Sequence, residues 1–332
     1  MHSFSGVTLS LLALVTVAAC TSKSSVEDLA PRPSYEVTSS VKQTAAASSQ
    51  TVAGYEEIEI EQLIEDSGAG GAGKLPVAAA ALVAPKRPMA APQPIAVPVQ
   101  RHRFRDAKPI NFGKVSPKSF AVHGVDVSRW QGQIDWVKLR GQGANFAYIK
   151  ATDGGDHLDP MFRKNWRAAA EAGLRRGAYH FFYWCRTAGE QADWFIRNVP
   201  KVEGALPPVI DVEWNGESRC KRRPSPAKVI EKMQVFMDKL EQHYGQRPII
   251  YTAPDFYRDN LRGAFLDYPF WLRSVAAHPS KVYPGRKWVF WQYSGSGLSH
   301  GVRGRIDLNV FNGNESTWRR WASGQSIVAE TE

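Results

Sequence analysis

The chain has 332 residues, of which 43% are hydrophobic and 22% charged. This composition allows a sizeable hydrophobic core and excludes a wholly disordered chain. The length allows one or two domains. The net charge of +10 suits nucleic acid, anionic lipid or an anionic polymer such as a cell wall, and charge alone does not choose among them.

The N-terminus has the features of an export signal. Residues 6–20, GVTLSLLALVTVAAC, are an apolar run that is shorter than the ~20 residues of a membrane-spanning helix. VAAC resembles a bacterial lipobox, which predicts a signal peptide over residues 1–20 and a lipid anchor on Cys20. Thr21 then suits sorting to the outer membrane of a Gram-negative cell. The alternative is an ordinary cleaved signal peptide with a chance cysteine, because MHSFS carries no Lys or Arg.

Residues 21–118 are rich in Ala, Pro, Ser, Thr and Gly. Such a composition buries too little apolar surface to offset the entropy of ordering, so it predicts a disordered tether. A flexible chain of this length has a root-mean-square reach of ~55 Å. A tether on a lipid anchor would let a domain sample the periplasm while it stays at the membrane.

From residue 119 onward, apolar runs alternate with amphipathic segments. The predicted strands are SFAVHGVDVS, FAYIKAT, GAYHFFYW, LPPVIDVEW, RPIIYTA, FWLRSVA and WVFWQYSG. The predicted helices lie at 161–174, 187–200 and 225–245, and the last begins Ser-Pro and ends at Gly245.

This alternation predicts an α/β fold with a parallel sheet, as a modified (β/α) TIM-like barrel over residues 119–318 with a tail over 319–332. No helix-length segment is apparent after WVFWQY, so we expect a strand-rich, irregular end and not a full ring of eight helices.

Carboxylates occur where apolar strands end. Asp211 and Glu213 are two residues apart, so they lie on one strand face with Cα atoms about 6.5–7 Å apart. Asp126 and Asp307 occupy comparable strand ends. A lone strand-end Asp is more often a loop cap, but four acidic side chains at one barrel mouth predict a catalytic site.

Glycoside hydrolysis is the chemistry that suits such a site. It needs one protonated carboxyl for the leaving oxygen and others that are ionised, and crowded like charges separate carboxyl pKa values in this way. Trp and Tyr side chains at the strand ends would offer flat faces to sugar rings, and about half of them are expected to be core.

The motifs DVSRWQGQIDW, FAYIKATDGG, GAYHFF, QADWF, LPPVIDVEWN, PIIYT and WVFWQYSGSG with IDLNVF occur in the order seen in one enzyme family. Over residues 121–312 the chain resembles the glycoside hydrolase family 25 lysozymes, the Chalaropsis-type muramidases. The resemblance implies a modified barrel that cleaves the β-1,4 bond between N-acetylmuramic acid and N-acetylglucosamine in peptidoglycan. Asp153 stands where the family usually has Glu.

The resemblance also implies roles for individual residues. Glu213 is the general acid, Asp211 its partner that orients the N-acetyl group, and Asp126 and Asp307 flank the cleft. The residues expected to line the substrate pocket are Lys150, Tyr183, Tyr251, Trp271 and Gln292. Whether the anomeric configuration is retained, inverted or handled by a substrate-assisted route stays open.

The resemblance places Cys185 and Cys220 on loops at the same barrel mouth, and we predict a disulfide between them. Taken by themselves, two cysteines in an exported protein could pair or remain buried thiols. The absence of CxxC spacing and clustered His argues against a metal site, and no cofactor is expected.

The sequence therefore predicts an exported peptidoglycan hydrolase, anchored to the outer membrane through Cys20 or else secreted. We expect a monomer whose partner is the peptidoglycan glycan strand, with no role on nucleic acid because no recognition motif appears. The alternatives are a wall-binding module that does not cut glycan and a glycosidase of different specificity, such as a chitinase.

Overall fold

The computed structural model describes residues 98–216 and 218–324. The predicted signal peptide, Cys20, and most of the tether and tail lie outside these residues. Among the described residues, no helix is long and apolar enough to cross a membrane. The strands are β1 (Arg105–Asp106), β2 (His123–Val127), β3 (Phe146–Asp153), β4 (His157–Leu158), β5 (Arg175–Phe181), β6 (Val209–Val212), β7 (Ile249–Thr252), β8 (Phe270–Arg273), β9 (Phe290–Leu298) and β10 (Ile306–Phe311).

Eight of these strands close into a barrel. From β2 through β3, β5, β6, β7 and β8 to β9, each strand is parallel to the next. β10 completes the ring antiparallel to both β9 and β2. β1 and β4 extend the ends of β9 and β3. The predicted (β/α) barrel is confirmed, in a mixed form with one reversed strand.

The helices of the described chain are α1 (Trp136–Gly141), α2 (Phe162–Glu171), α3 (Ala188–Asn198), α4 (Pro226–Tyr244), α5 (Pro254–Asn260), α6 (Pro279–Val282) and α7 (Glu315–Ala322). α4 has Pro226 at its first turn and is followed by Gly245 in the left-handed conformation. α3 is capped by Thr187, whose side chain accepts a hydrogen bond from the backbone N–H of Glu190. These local signals explain why both helices match the sequence prediction closely.

Side-chain alternation along the strands creates two apolar layers. One faces the helices, where Ile210 and Ile250 join Met233 and Phe236 of α4 in a buried cluster. The other fills the barrel interior, and it consists of aromatic side chains with some aliphatic ones, including Phe146, Tyr148, Tyr179, Trp271, Phe290 and Phe311. The barrel is therefore a packed core and not a pore.

Two strand glycines make this interior possible. A Cβ atom at Gly124 would overlap the ring of Phe146, and one at Gly177 would overlap the ring of Tyr148. Because a barrel of eight strands has room for few large rings, a missing side chain on one strand accommodates an aromatic ring from its neighbour.

The structure differs from the sequence prediction at both boundaries. Residues 98–118 were assigned to the disordered tether, but β1 pairs with β9, and the ring centroids of Phe112 and Trp291 are 5.0 Å apart. Ordered structure therefore begins before residue 119, because this segment buries apolar rings that its composition did not reveal.

At the other boundary, α7 crosses the predicted end at residue 318. The end of the barrel is strand-rich and irregular in register, as expected, but the expectation that no helix follows was wrong. Asn314 caps α7 through the backbone N–H of Thr317, and the helix buries Trp318 and Ala322 in the interior cluster. Its eight residues give too short an apolar stripe for periodicity to reveal it.

Candidate active site

Four carboxyl groups lie at the end of the barrel where the parallel strands finish, which we call the mouth. Asp126 lies on β2, Asp211 on β6, and Glu213 directly follows β6. Asp307 is the second residue of β10. Because β10 runs antiparallel, its beginning lies at the same end, and Asp307 pairs in register with Asp126. The structure thus brings the four predicted acidic residues to one mouth.

Asp126 has the most extensive hydrogen-bond network of the four carboxyl groups. Its Oδ2 accepts hydrogen bonds from Gln292 Nε2 at 3.0 Å and from Asn309 Nδ2 at 2.7 Å. Tyr251 donates to Gln292 Oε1 at 2.8 Å, and Trp271 Nε1 donates to Asn309 Oδ1 at 2.8 Å. The amides of β10, the neighbouring strand, and of β9, the strand beyond it, therefore fix this carboxyl, and both amides are themselves fixed.

Asp211 and Asp307 differ from Asp126 in this respect. Both are buried, and the Oδ1 atom of each has no hydrogen-bond partner among the described residues. A buried carboxylate oxygen without a partner is costly, whereas a protonated carboxyl carries no charge to desolvate. These two side chains therefore favour protonation until a ligand or solvent supplies partners.

The four carboxyl groups also differ in how far their pKa values are raised. Burial is the largest cause of each shift, and it raises the pKa of Glu213 to about 7 and that of Asp126 to about 6. The pKa values of Asp211 and Asp307 are raised well above the usual range, first by burial and then by the charges of Glu213 and Asp126 respectively. Arg273 opposes the shifts of Glu213, Asp126 and Asp307.

The sequence model of the glycosyl hydrolases family 25 matches residues 125–302, which is more than half of the chain and includes Asp126, Asp211 and Glu213, while Asp307 lies five residues beyond its end. The chain belongs to glycosyl hydrolase family 25. The family predicted from the motifs is thereby confirmed, and the barrel described above is its catalytic domain.

Relatives of this family 25 hydrolase match over the same part of the chain. The uncharacterized protein YegX of Escherichia coli (strain K12) is 39% identical over 216 residues, covering 63% of this chain and 76% of the relative. Lysozyme M1 of Streptomyces globisporus is 34% identical over 200 residues, covering 58% and 68%. A family 25 glycosyl hydrolase from Bacillus anthracis has a solved structure with 40% identity, a TM-score of 0.57, and coverage of 61% of this chain and 94% of that one.

The predicted pocket residues of this family 25 hydrolase fall into two groups. Tyr251, Trp271 and Gln292 are nearly buried, and their polar atoms are engaged in the network around Asp126. Lys150 and Tyr183 are partly exposed. The first group is positioned to support the carboxyl groups, and direct contact with substrate is better suited to the second.

Lys150 forms an ion pair with Asp153, with Nζ and Oδ2 2.8 Å apart. Asp153, which replaces the usual Glu, is thus long enough to reach this lysine. The Lys150 ammonium also lies 5.1 Å from the ring centroid of Phe181. This arrangement holds a cation close to the carboxyl groups, where it lowers the pKa values of Asp211 and Glu213.

Few of the mouth tryptophans can serve as sugar platforms. Trp184, Trp214 and Trp291 are all buried. Trp130 is 39% exposed, with the Arg129 guanidinium carbon 4.5 Å from its ring centroid. Of the Trp and Tyr side chains at the strand ends, Trp130 and Tyr183 are therefore the ones that remain accessible to a sugar ring.

The predicted disulfide is present. Cys185 and Cys220 are bonded, with their Cα atoms 5.4 Å apart. Beside it, the indole N–H of Trp184 donates to the backbone oxygen of Glu213 at 2.7 Å, and Asn215 Nδ2 donates to the oxygen of Phe182 at 3.0 Å. The loops after β5 and β6 are thereby joined next to the acid.

Sequence reasoning missed two polar side chains of the site, Arg273 and Asn309. Arg273 is the last residue of β8, and it pairs in register with Gln292 of β9. A charged residue at the end of the apolar run FWLR was the available signal. Asn309 lies two residues after Asp307 on β10, so the same period-two rule would have placed it on the inner face.

No group of three or more His, Cys, Asp or Glu side chains within residues 98–324, residue 217 excepted, is arranged to hold a metal ion.

Proposed function

We propose that this family 25 hydrolase is a muramidase that cleaves the β-1,4 bond between N-acetylmuramic acid and N-acetylglucosamine, with Glu213 as the general acid. The observation that carries the proposal is the position of Glu213, directly after β6 and beside Asp211 at the mouth of a family 25 barrel. Burial there raises the pKa of Glu213 to about 7. A carboxyl with this pKa holds a proton near neutral pH and can still release it. The similarity to lysozyme M1 supports peptidoglycan as the substrate.

In the proposed reaction, Glu213 donates its proton to the glycosidic oxygen as the C–O bond breaks. Positive charge then develops at the sugar carbon, and those carboxyl groups of the mouth that are ionised stabilise it. A water molecule completes the hydrolysis: its oxygen bonds to the sugar carbon, and the proton that it releases restores the protonated carboxyl. Asp211, on the same strand face as Glu213, is placed to orient the N-acetyl group of the reacting sugar. Asp126 and Asp307 set the charge and the position of the cleft from the two adjoining strands.

The fixed surroundings of Glu213 support this assignment. Its backbone oxygen is held by Trp184, and the neighbouring Trp214 donates from Nε1 to Asp259 Oδ2 at 2.8 Å. A general acid must keep its geometry within fractions of an ångström to be effective, and buried indoles provide that rigidity. A module that only binds glycan would not need a carboxyl with a raised pKa at this point.

The decisive experiment measures the release of reducing ends from purified peptidoglycan and, in parallel, from chitin. Glu213→Gln keeps the shape of the side chain but has no proton to donate, and we expect kcat to fall about 10³-fold. Glu171→Gln, on the exposed surface of α2, is the matched control and should retain full activity.

Three results would change the proposal. Equal rates for the wild type and Glu213→Gln would remove Glu213 as the acid. Binding of peptidoglycan without release of reducing ends by the wild type would favour a wall-binding module. Faster release from chitin than from peptidoglycan would favour a chitinase.

We also propose that the protein is exported, that residues 1–20 are its signal peptide, and that Cys20 carries a lipid that anchors a monomeric enzyme to the outer membrane through the tether. The apolar run ending in VAAC and Thr21 supports this location. Metabolic labelling with a fatty acid should mark the wild type but not Cys20→Ala, and the variant should move from the membrane fraction to the soluble periplasm. Labelling of both proteins would contradict the anchor.

A further inference from the structure

A cluster of positive charge follows the acid along the chain. Arg219, Lys221, Arg222 and Arg223 occupy four of five consecutive positions, and all four side chains are exposed. In the sequence, Glu217 is the one acidic residue between Glu213 and this cluster. The segment therefore adds a net positive charge to a mouth that is otherwise acidic.

The carboxylates near this cluster are already engaged elsewhere. Asp156 and Glu190 form ion pairs with Arg186, and Glu231 forms one with Lys228. The four cluster cations form no ion pair with any residue that the structure describes. Their charge is thus not neutralised by any carboxylate that the structure describes.

The segment is held in place from both sides, unlike an ordinary solvated loop. Cys220, in the middle of the cluster, is bonded to Cys185. The Arg223 guanidinium carbon lies 4.8 Å from the ring centroid of the buried Trp214. Lys232 of α4 donates to the backbone oxygens of Trp184 at 2.8 Å and Arg186 at 2.5 Å, which supports the partner loop. The loop is thus tied to the barrel at Cys220 and at Arg223.

Arg223 is occupied by its stacking on Trp214, so Arg219, Lys221 and Arg222 remain as free donors. We call these three residues the basic rim. Arg222 is close enough to Lys232 of α4 that its charge helps to lower the pKa of that lysine, after burial and the charge of Lys228. The rim lies on the loop that follows β6, and the disulfide between Cys185 and Cys220 joins this loop to the one after β5 at the mouth.

The substrate chemistry suggests what the rim holds. The glycan in the cleft is uncharged at the sugar rings, but the peptides attached to muramic acid carry free carboxylates. Those carboxylates would be repelled by the acidic groups of the mouth and attracted by the rim, within the ~8 Å over which charges act at physiological salt.

We infer that Arg219, Lys221 and Arg222 form a carboxylate-binding rim, which holds the free carboxylates of the peptidoglycan stem peptides while the glycan strand lies in the cleft. This inference rests on the proposed muramidase function. It makes the rim a determinant of substrate choice, favouring glycan that still carries its peptides over bare glycan strands.

The test compares the variant Arg219→Gln/Lys221→Gln/Arg222→Gln with a control of equal charge change, Lys114→Gln/Arg163→Gln/Arg167→Gln, whose three positions are also exposed. KM and kcat are measured on intact peptidoglycan, on peptidoglycan with its carboxylates converted to amides, and on glycan strands from which the peptides have been removed. We expect the rim variant to have a KM on intact peptidoglycan raised about 5- to 20-fold, with kcat unchanged and the control unaffected.

On peptide-free strands the wild type and the rim variant should have equal KM values, and amidation should raise the KM of the wild type to that of the rim variant. Equal effects of the rim and control substitutions, or a loss of the same size on peptide-free strands, would overturn the inference.

A binding measurement separates failure of the rim from failure of the proposed function. The rim substitutions are placed in the Glu213→Gln background, and cosedimentation with intact and amidated peptidoglycan is measured at low and physiological salt. Weaker binding to the amidated material, abolished by the rim substitutions, supports the rim even if the wild type proves not to cut glycan. Equal binding to both materials, or stronger binding to vesicles of anionic lipid than to peptidoglycan, would overturn it.

Discussion

The inner surface of the barrel has opposite chemistry at its two ends. At the mouth lie carboxyl groups, amides and a guanidinium, and two of the carboxyl oxygens have no partner among the described residues. At the other end, which we call the floor, the rings of Phe146, Tyr148, Phe290 and Phe311 pack against each other and against Trp318 of α7. The same strands provide both ends, often only two residues apart.

The contrast is plain along a single strand. On β10, Phe311 packs its ring 5.2 Å from that of Trp318, whereas Asp307 has an oxygen without a partner in the described chain. On β8, the indole of Trp271 packs 5.0 Å from Tyr148, and Arg273 stands two residues further toward the mouth. The floor contributes stability, and this stability offsets the cost of gathering carboxyl groups at the mouth.

The largest expected effect comes from a break in the floor. Phe311→Ala removes a buried ring that contacts Phe290, Trp318 and Trp321, and we expect the free energy of unfolding to fall by about 3–5 kcal/mol. Urea denaturation measures this loss. Phe311→Leu retains most of the buried volume and should cost much less. If the two variants were equally stable, the floor would not have the role assigned here.

A substitution at the mouth should lower activity without lowering stability, in contrast to the substitution at the floor. Asp211→Asn removes a buried carboxyl with an unpartnered oxygen, so we expect kcat to fall about 10²- to 10³-fold while the free energy of unfolding stays equal or rises. Kinetics and denaturation of the same preparation measure both quantities. A variant that lost stability as well as activity would show that Asp211 supports the fold.

The pH dependence of stability provides a further contrast. The pKa of Glu213 is raised from 4.5 to about 7, so the folded state binds the proton more tightly than the unfolded state. Its contribution to stability is complete below pH 4.5 and is lost as the pH rises to about 7. Between pH 5 and 8 we expect Glu213→Gln to lose less stability than the wild type, by about 1–3 kcal/mol. Parallel curves for the two proteins would contradict the raised pKa.

The smallest expected effect concerns Arg273. Its positive charge lowers the pKa of Glu213, so Arg273→Gln should raise that pKa further and move the alkaline limb of the pH–rate profile to higher pH. The profile of kcat/KM reports this limb directly. Arg273→Lys retains the charge and should keep the limb near its wild-type position. A drop in rate without any displacement would show that Arg273 acts only through packing.

Much of the fold was predictable because its signals are local. Thr187 and Gly245 marked the ends of helices, and apolar runs marked the strands, since caps and alternation depend only on neighbouring residues. The short helix α7 and the packing of residues 98–118 were missed because their apolar contacts lie far away in the sequence. The ring pair of Phe112 and Trp291 is an example that no local pattern contains.

The active site also has features that local sequence patterns predict and features that they do not. The period of two residues along a strand was enough to predict that Asp211 and Glu213 share a strand face, and the motifs were enough to predict the family and the disulfide partners. The position of Asp307 directly opposite Asp126 became apparent only in the folded barrel, since it follows from the reversed direction of β10. The tertiary structure also decided that Arg273 enters the field of the carboxyl groups and that Asp126 is held by amides of two other strands. Strand direction and ring closure are non-local, so the electrostatics they create cannot be read from any single segment.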